Sequence, residues 1–261
     1  MKIIVTIKQV PDTNEVKLDR RTGTLIREGV PSIINPEDKN ALEAALQHKE
    51  RSGAHVVALS MGPPQAEDAL REALAMGVDE VILLSDRAFA GADTWSTAAT
   101  LGMAVQKIAD YDLILAGRQA IDGDTAQVGP QLAEYLGIPQ ITYVREFFIA
   151  EDTVRAKRAI EDGYEELEAP LPALLTITKD ANDARYPSAG GIMRAYRQQD
   201  VTIWDHQAIG ADPEEVGLKG SPTQVKRSFT PPPKEPGEKL QVPPAEAARD
   251  IVARLKSSNI I

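Results

Sequence analysis

Apolar residues follow two alternating spacings along the first half of the chain. Short continuous runs at residues 3–10, 55–60, 80–84 and 113–116 predict buried strands. Between them, apolar positions recur at helical spacing. Asn35-Pro36 opens the first helix with Asp38 in its first turn, Ala41, Leu42, Ala45 and Leu46 trace one face, and Gly53 ends it. A second helix spans residues 65–76 and stops at Gly77. Asp93 or Thr94 can cap a third, which continues through Lys107. The fourth is read from Val128, Leu132, Tyr135 and Leu136, with Asp124 or Thr125 as its N-cap. Strand and helix in strict alternation predict an α/β fold: an open, mostly parallel, doubly wound sheet of the nucleotide-binding, Rossmann-like kind, with helices on both faces and right-handed crossovers.

Two further patterns modify this plan. Residues 16–26 read as a hairpin turning at residues 19–23, with Val16, Leu18, Leu25 and Ile26 as its apolar partners. After Gly137 the runs shorten and alternate, at residues 141–149, 153–160, 164–169 and 173–178, which predicts an antiparallel β-meander. Its basic residues 155–158 face acidic residues 165–168 across Glu161-Asp162-Gly163, and Leu174-Leu175-Thr176-Ile177 is apolar enough to return to the main sheet. Residues 185–193 read as a surface loop leading into a short helix. Beyond about Asp200 the texture becomes that of an extended C-terminal arm, with a proline-rich stretch at residues 230–236 and a last helix over residues 244–255. The expected organisation is a nucleotide-binding domain over residues 1–200 and an arm with its helix over residues 201–261, wrapped around a partner.

In an open parallel sheet, ligands bind beyond the carboxyl ends of the strands near a topological switch point. That directs attention to loops beginning at Lys8, Ser60, Ser85 and Gly117. In the last of these, Gly117 and Gly123 are expected to supply positive φ and close backbone approach, and the free N–H groups of the following helix attract a phosphate or another anion. An ordinary α/β loop with capping residues accounts for the same stretch, which is neither a P-loop nor a GxGxxG motif. Asp122 and Asp124 can form a magnesium pair or simply cap a helix. Arg87 and Arg118 offer fixed donors to phosphate or a polarised ring.

Charge and composition narrow the chemistry. A formal net charge of −10 speaks against nucleic acid as the main partner. With no cysteine, thiolate metal sites and disulfides are excluded. His48, His55 and His206 share no metal-ligand spacing and lie far in sequence from the candidate loops, and no nucleophile–base–acid arrangement is visible, so neither a catalytic residue nor a metal site is assigned. No apolar run is long enough to insert into a membrane, and the N-terminal MKIIVTIKQV reads as a strand rather than a leader, which points to the cytoplasm.

Taken together, VTIKQVPD, Asn35-Pro36 before a helix, SMGPPQAEDALREALAMGVDE, SDRAFAGADT and GRQAIDGDTAQVGP resemble the beta subunit of electron-transferring flavoprotein, and the likeness extends to about Ser228. DGDTAQVGP and SDRAFAGADT resemble its electron-bifurcating type. The resemblance implies a heterodimer with an alpha subunit. It also implies a beta-site FAD that accepts hydride from NADH and sends one electron to the alpha-subunit FAD and one to a low-potential acceptor such as ferredoxin or flavodoxin. An acyl-CoA dehydrogenase or quinone reductase would then be the other acceptor. In the non-bifurcating alternative the beta site holds a structural AMP, and the subunit relays electrons from dehydrogenases. A non-redox nucleotide-binding regulatory domain is the reading from another class.

By the same resemblance, Thr6, Ile7, Lys8 and Asn35 line the adenosine end, and Ser60, Met61 and Gly62 approach the ribose or phosphates. Asp122, Gly123, Asp124, Thr125, Ala126, Gln127 and Val128 cradle the diphosphate. Asp86, Arg87, Ala88 and Thr94, with Gly117, Arg118 and Gln119, complete the cofactor site, the two arginines lying near the flavin, where a cation stabilises the reduced anion. Ala189-Gly190-Gly191 departs from the bulky leucine with which ordinary members plug into acyl-CoA dehydrogenases, and Ser221-Pro222-Thr223-Gln224-Val225 matches the family's tail.

Overall fold

The computed structural model describes residues 1–12, 31–226, 229 and 236–261. The hairpin expected over residues 16–26 lies outside the described residues, as does most of the proline-rich stretch. The chain divides into two compact units, Met1–Val225 and Lys226–Ile261.

In the first unit the elements are β1 (Lys2–Thr6), β2 (Gln9–Pro11), β3 (Ser32–Ile34), α1 (Pro36–Ser52), β4 (His55–Met61), α2 (Glu67–Met76), β5 (Glu80–Leu84), α3 (Thr94–Ile108), β6 (Leu113–Gly117) and α4 (Val128–Leu136). There follow β7 (Gln140–Ala150), β8 (Thr153–Ile160), β9 (Gly163–Pro170), β10 (Ala173–Ile177), α5 (Ala189–Arg197) and β11 (Thr202–Trp204). Nine of these strands form one sheet in the order β11-β5-β4-β1-β6-β10-β7-β8-β9. From β11 to β7 neighbouring strands are parallel, and β7, β8 and β9 continue as an antiparallel ribbon.

Alternation along each strand decides which helices cover which face. Ile3, Val5, Val56, Ala58, Leu113 and Leu115 pack with α1 and α2 on one side. Ile4, Val57, Leu59 and Ile114 pack with α3 and α4 on the other. Burying each of the valine, leucine and isoleucine side chains contributes roughly 1.5–3 kcal/mol, so these two layers hold the sheet. The expected doubly wound sheet is therefore present, with both faces covered.

The apolar run at residues 3–10 is not one strand. The chain leaves the main sheet after Thr6, and β2 pairs antiparallel with β3 in a separate two-stranded sheet. Returning to the main sheet, β10 inserts between β6 and β7 and is parallel to both, so the fourth run of the expected meander belongs to the parallel part. The β8–β9 register sets Arg155 opposite Glu168 and Arg158 opposite Glu165, each pair ion-paired. Lys157 instead bonds Glu146 of β7 at 2.6 Å. Ser188 caps α5 by accepting the Gly191 N–H at 2.9 Å. Residues 202–225 belong to the first unit, where β11 extends the sheet beside β5.

The second unit holds α6 (Pro244–Ser257), none of whose residues is buried. Arg254 ties it together by bonding Asp250 at 2.8 Å and Glu238 at 2.5 Å. Among the described residues no helix is long and apolar enough to cross a membrane.

Candidate functional site

Strand order locates the crevice. The chain runs outward from β1 to β4 and β5, then returns to the other side of β1 as β6, so the switch point lies between the carboxyl ends of β1 and β6. Lys8 leaves one of these ends and Gly117 the other, with Ser60 and Ser85 at the ends of β4 and β5.

The first turn of α1 builds the floor of this crevice. Asn35 is fully buried; its Nδ2 donates to the Gln119 carbonyl at 2.8 Å and its Oδ1 accepts from the Ile121 N–H at 3.0 Å. Glu37 accepts the Gln119 N–H at 2.9 Å and pairs with Arg118 at 3.1 Å. Asp38 accepts the Lys8 N–H at 2.7 Å and the Gly117 N–H at 3.1 Å, so one carboxylate joins the loops after β1 and β6. Above it the Lys8 ammonium meets both Asp122 oxygens, at 2.7 and 2.8 Å.

These contacts settle the state of the charged residues. Arg118 lies on Glu37 and 5.8 Å from the centre of the Tyr143 ring, so its charge is already matched from within the chain. Lys8 is matched likewise by Asp122. Arg87 lies exposed in a short turn at Arg87–Phe89. Asp122 and Asp124 serve separate partners, since Asp124 accepts from the Gln119 side chain at 2.9 Å.

Burial pushes the Asp38 carboxyl up to about 7, against the pull of Asn35, the Lys8 and Gly117 amides and the Lys8 ammonium. The folded chain thus keeps this proton to a higher pH than the unfolded chain, whose carboxyl has an ordinary value near 4. Stability from this group is full below that ordinary value and declines as pH rises towards 7. Between pH 5 and 8 the unfolding free energy is expected to fall by on the order of 2 kcal/mol, and the urea midpoint with it. Urea titrations of wild type and Asp38→Asn across that range check this: the variant should lose the slope, and equal slopes would refute the assignment.

The loop from Gly117 to α4 departs from the expected design in two ways. Neither Gly117 nor Gly123 has positive φ; Asp124 at 49° and Ala126 at 52° do. Two non-glycine residues in this conformation are a local strain that the surrounding bonds must hold. The helix is also not capped by Asp124 or Thr125. Its N-cap is Gln127, which makes no side-chain cap bond, so the first N–H groups of α4 are left available. Gly123, Asp124, Thr125 and Gln127 are exposed around that helix start.

The other two loops close the ring of candidates. Thr6 and Ile7 are buried at the end of β1, the Ile7 N–H bonding the Leu59 carbonyl at 2.9 Å. Ser60 is fully buried and its hydroxyl has no partner among the described residues, while Met61 and Gly62 beside it are half-buried. Asp86 caps the turn holding Ala88, accepting its N–H at 2.9 Å; hydrogen bonds from Ala88 and His206 hold its carboxyl down to about 2. Thr94 Oγ1 reaches Gln127 Oε1 at 3.3 Å, so the starts of α3 and α4 meet.

Several contributors escaped the sequence reading. His206, far from the loops in sequence, brings Nδ1 to 2.6 Å from Asp86. Asp38 carries only the signal of a first-turn acid; Asp93 caps α3 as expected, through the Ser96 N–H, but nothing local to it or to Glu37, Ser221 and Thr223 marks their long-range contacts.

A nucleotide fits this arrangement. The orphaned Ser60 hydroxyl and the uncapped α4 start offer hydrogen bonds, and a side chain at Gly123 would meet no heavy atom within 4 Å. Comparison with known proteins gives a family. The family model described as Electron transfer flavoprotein domain matches residues 22–208. Over the whole of both chains, the protein is 57% identical to the Caffeyl-CoA reductase-Etf complex subunit CarD of Acetobacterium woodii. It is 56% identical, again over both full lengths, to the Electron transfer flavoprotein subunit beta of Thermoanaerobacterium thermosaccharolyticum. Identity to the Acryloyl-CoA reductase electron transfer subunit gamma of Anaerotignum propionicum is 44%, with both chains fully covered. With the doubly wound sheet and the motifs at its switch point, these likenesses establish that the chain belongs to the electron transfer flavoprotein family as a beta-type subunit, with a role in electron transfer.

Proposed function

We propose that the crevice binds FAD and that the chain works as the beta subunit of an electron-bifurcating flavoprotein. The observation that carries this reading is the meeting of the loops after β1, β5 and β6 around the α4 start, where Lys8 bonds Asp122, Thr94 touches Gln127 and the helix has no side-chain cap. When bound, FAD supplies a hydride acceptor for NADH and an outlet for single electrons, one to the alpha-subunit FAD and one to ferredoxin or flavodoxin.

The chain's own residues bind and orient. Thr6, Ile7, Lys8 and Asn35 receive the adenosine end, and Ser60, Met61 and Gly62 the ribose or phosphates. The loop from Asp122 to Val128 cradles the diphosphate, its N–H donors coming from Thr125 onward because the Gly123 and Asp124 N–H groups bond the Ala120 carbonyl, with Gly117 and Gln119 fixing the root of that loop through Asp38 and Glu37. Internal ion pairs neutralise Lys8 and Arg118 in advance, so phosphate binding leans on backbone donors rather than free cations. Asp86, Arg87, Ala88 and Thr94 border the flavin side.

The alpha subunit is the partner of the C-terminal arm read over residues 201–261, of which the unit from Lys226 offers an unburied helix. Two relatives are subunits of caffeyl-CoA and acryloyl-CoA reductase systems, which supports an acceptor of the acyl-CoA dehydrogenase type, and a cytoplasmic setting suits such a complex. Family membership favours this redox role over a nucleotide-binding regulator.

Cofactor analysis of the purified heterodimer tests the reading. Two FAD per heterodimer are expected, whereas one FAD with one AMP would make the site structural and overturn bifurcation.

A further inference from the structure

The loop that leaves β5 is tied along its length to a distant stretch of chain. Ser85 donates its N–H to the Trp204 carbonyl at 3.0 Å, and Asp86 accepts the His206 N–H at 3.2 Å. Further on, Gly217 passes so close that a Cβ there would stand 1.9 Å from the Ala88 carbonyl oxygen. Its φ of 61° is one that glycine adopts freely. The Leu218 N–H then bonds the Ala90 carbonyl at 3.0 Å.

Asp93 completes the attachment and serves two elements at once. One carboxylate oxygen accepts the Ser96 N–H at 3.0 Å and so starts α3. The other accepts both the Thr223 N–H, at 3.0 Å, and the Thr223 hydroxyl, at 2.7 Å. The Asp93 N–H in turn donates to Ser221 Oγ at 2.8 Å, and that hydroxyl donates to the Gly217 carbonyl at 2.7 Å. Burial works against the charge on Asp93, but the bonds from Ser96 and Thr223 outweigh it and hold the carboxyl below its ordinary range.

A helix cap needs only the first of these oxygens. The second is given wholly to residue 223, two positions before the first compact unit ends at Val225. On its other side, Thr94 touches Gln127 at the start of α4, where the proposed diphosphate lies. One side chain therefore stands between the root of the C-terminal segment and the wall of the nucleotide site.

We propose that Asp93 is a positioning residue: through Ser221 and Thr223 it lets the root of the C-terminal segment set the stance of the loop after β5, and with it the affinity and spectrum of the nucleotide bound beside that loop. This rests on the nucleotide reading given above. A pull on the chain at residue 223 meets the Asp93 carboxylate first, so whatever holds the arm regulates the site.

The test titrates the full chain with FAD and follows amide hydrogen exchange in parallel. Ser221→Ala combined with Thr223→Val removes both hydroxyls and leaves Asp93 to cap α3. The expected result is FAD binding weakened about ten-fold, a shifted absorbance band of the bound flavin and faster exchange at the Ala88 and Leu218 amides. Thr223→Ser, which keeps the hydroxyl, should bind and absorb as wild type does. Wild-type affinity and spectrum in the double variant would overturn the proposal. Should the wild-type chain itself take up no flavin, the cofactor reading falls and the exchange data decide: lost protection upholds the linkage, unchanged protection refutes it.

Discussion

Replacing Gly117 by alanine is expected to cost about 3 kcal/mol or more, a fall in Tm of roughly 6–12 °C for a domain of this size. The added Cβ would stand 2.2 Å from Asp38 Oδ1, 2.7 Å from the Asp38 nitrogen and 2.8 Å from the Glu37 carbonyl carbon. Two of these three are backbone atoms of a helix start, so no side-chain rotation relieves the clash. Either the loop after β6 or the first turn of α1 must move, and every bond that Asn35, Glu37 and Asp38 make to residues 117–121 moves with it. Thermal unfolding followed by circular dichroism measures the effect. A Tm within two degrees of wild type would show that the close packing of loop on helix is not what holds the crevice.

Gly123→Asp, six positions along the same loop, is expected to do the reverse: stability unchanged within about 0.5 kcal/mol and nucleotide binding lost. Here a Cβ meets nothing within 4 Å and the backbone has no positive φ to forbid it. The penalty falls on the ligand, because a carboxylate placed about 4 Å from a phosphate is repelled by roughly 4 kcal/mol at an effective dielectric of 20, about a thousand-fold in affinity. Flavin content after gel filtration, set beside Tm, separates the two effects. Undiminished flavin in a folded variant would move the diphosphate away from residues 122–128.

The contrast between these glycines bears on what could be read before the structure. Both were expected to serve by conformational freedom; Gly117 serves by having no side chain where a carboxylate must lie, and the positive φ angles fall at Asp124 and Ala126 instead. Patterning is legible because it is local: the strand ends at Leu84 and Gly117, and the helix stops at Gly53 and Gly77, lie where period and terminator residues put them, and β4 runs one residue past the expected Ser60, to Met61. The break after Thr6 is not legible, since Ile7 and Val10 carry the apolar run of residues 3–5 past Lys8 and Gln9, and only the pairing of β2 with β3 divides it. Contacts across great sequence distance were also hidden. His206 on Asp86 and Thr223 on Asp93 join residues 120 and 130 positions apart, and nothing in either neighbourhood marks the partner. The candidate loops were thus nameable from topology, whereas the carboxylates that fasten them were not.

Strand β10 carries a consequence for synthesis. Among the described residues the ladder joins the ribbon of β7, β8 and β9 to the parallel strands through β10 alone, whose Ala173 pairs with Leu113 on one side while Leu175 pairs with Ile141 on the other. As the chain leaves the ribosome, β6 and β7 emerge first and have no ladder between them until residues 173–177 follow. The nascent protein therefore holds two incomplete sheets with open edges, and a single late strand fuses them, an order in which translation speed near that strand sets how long those edges stay exposed.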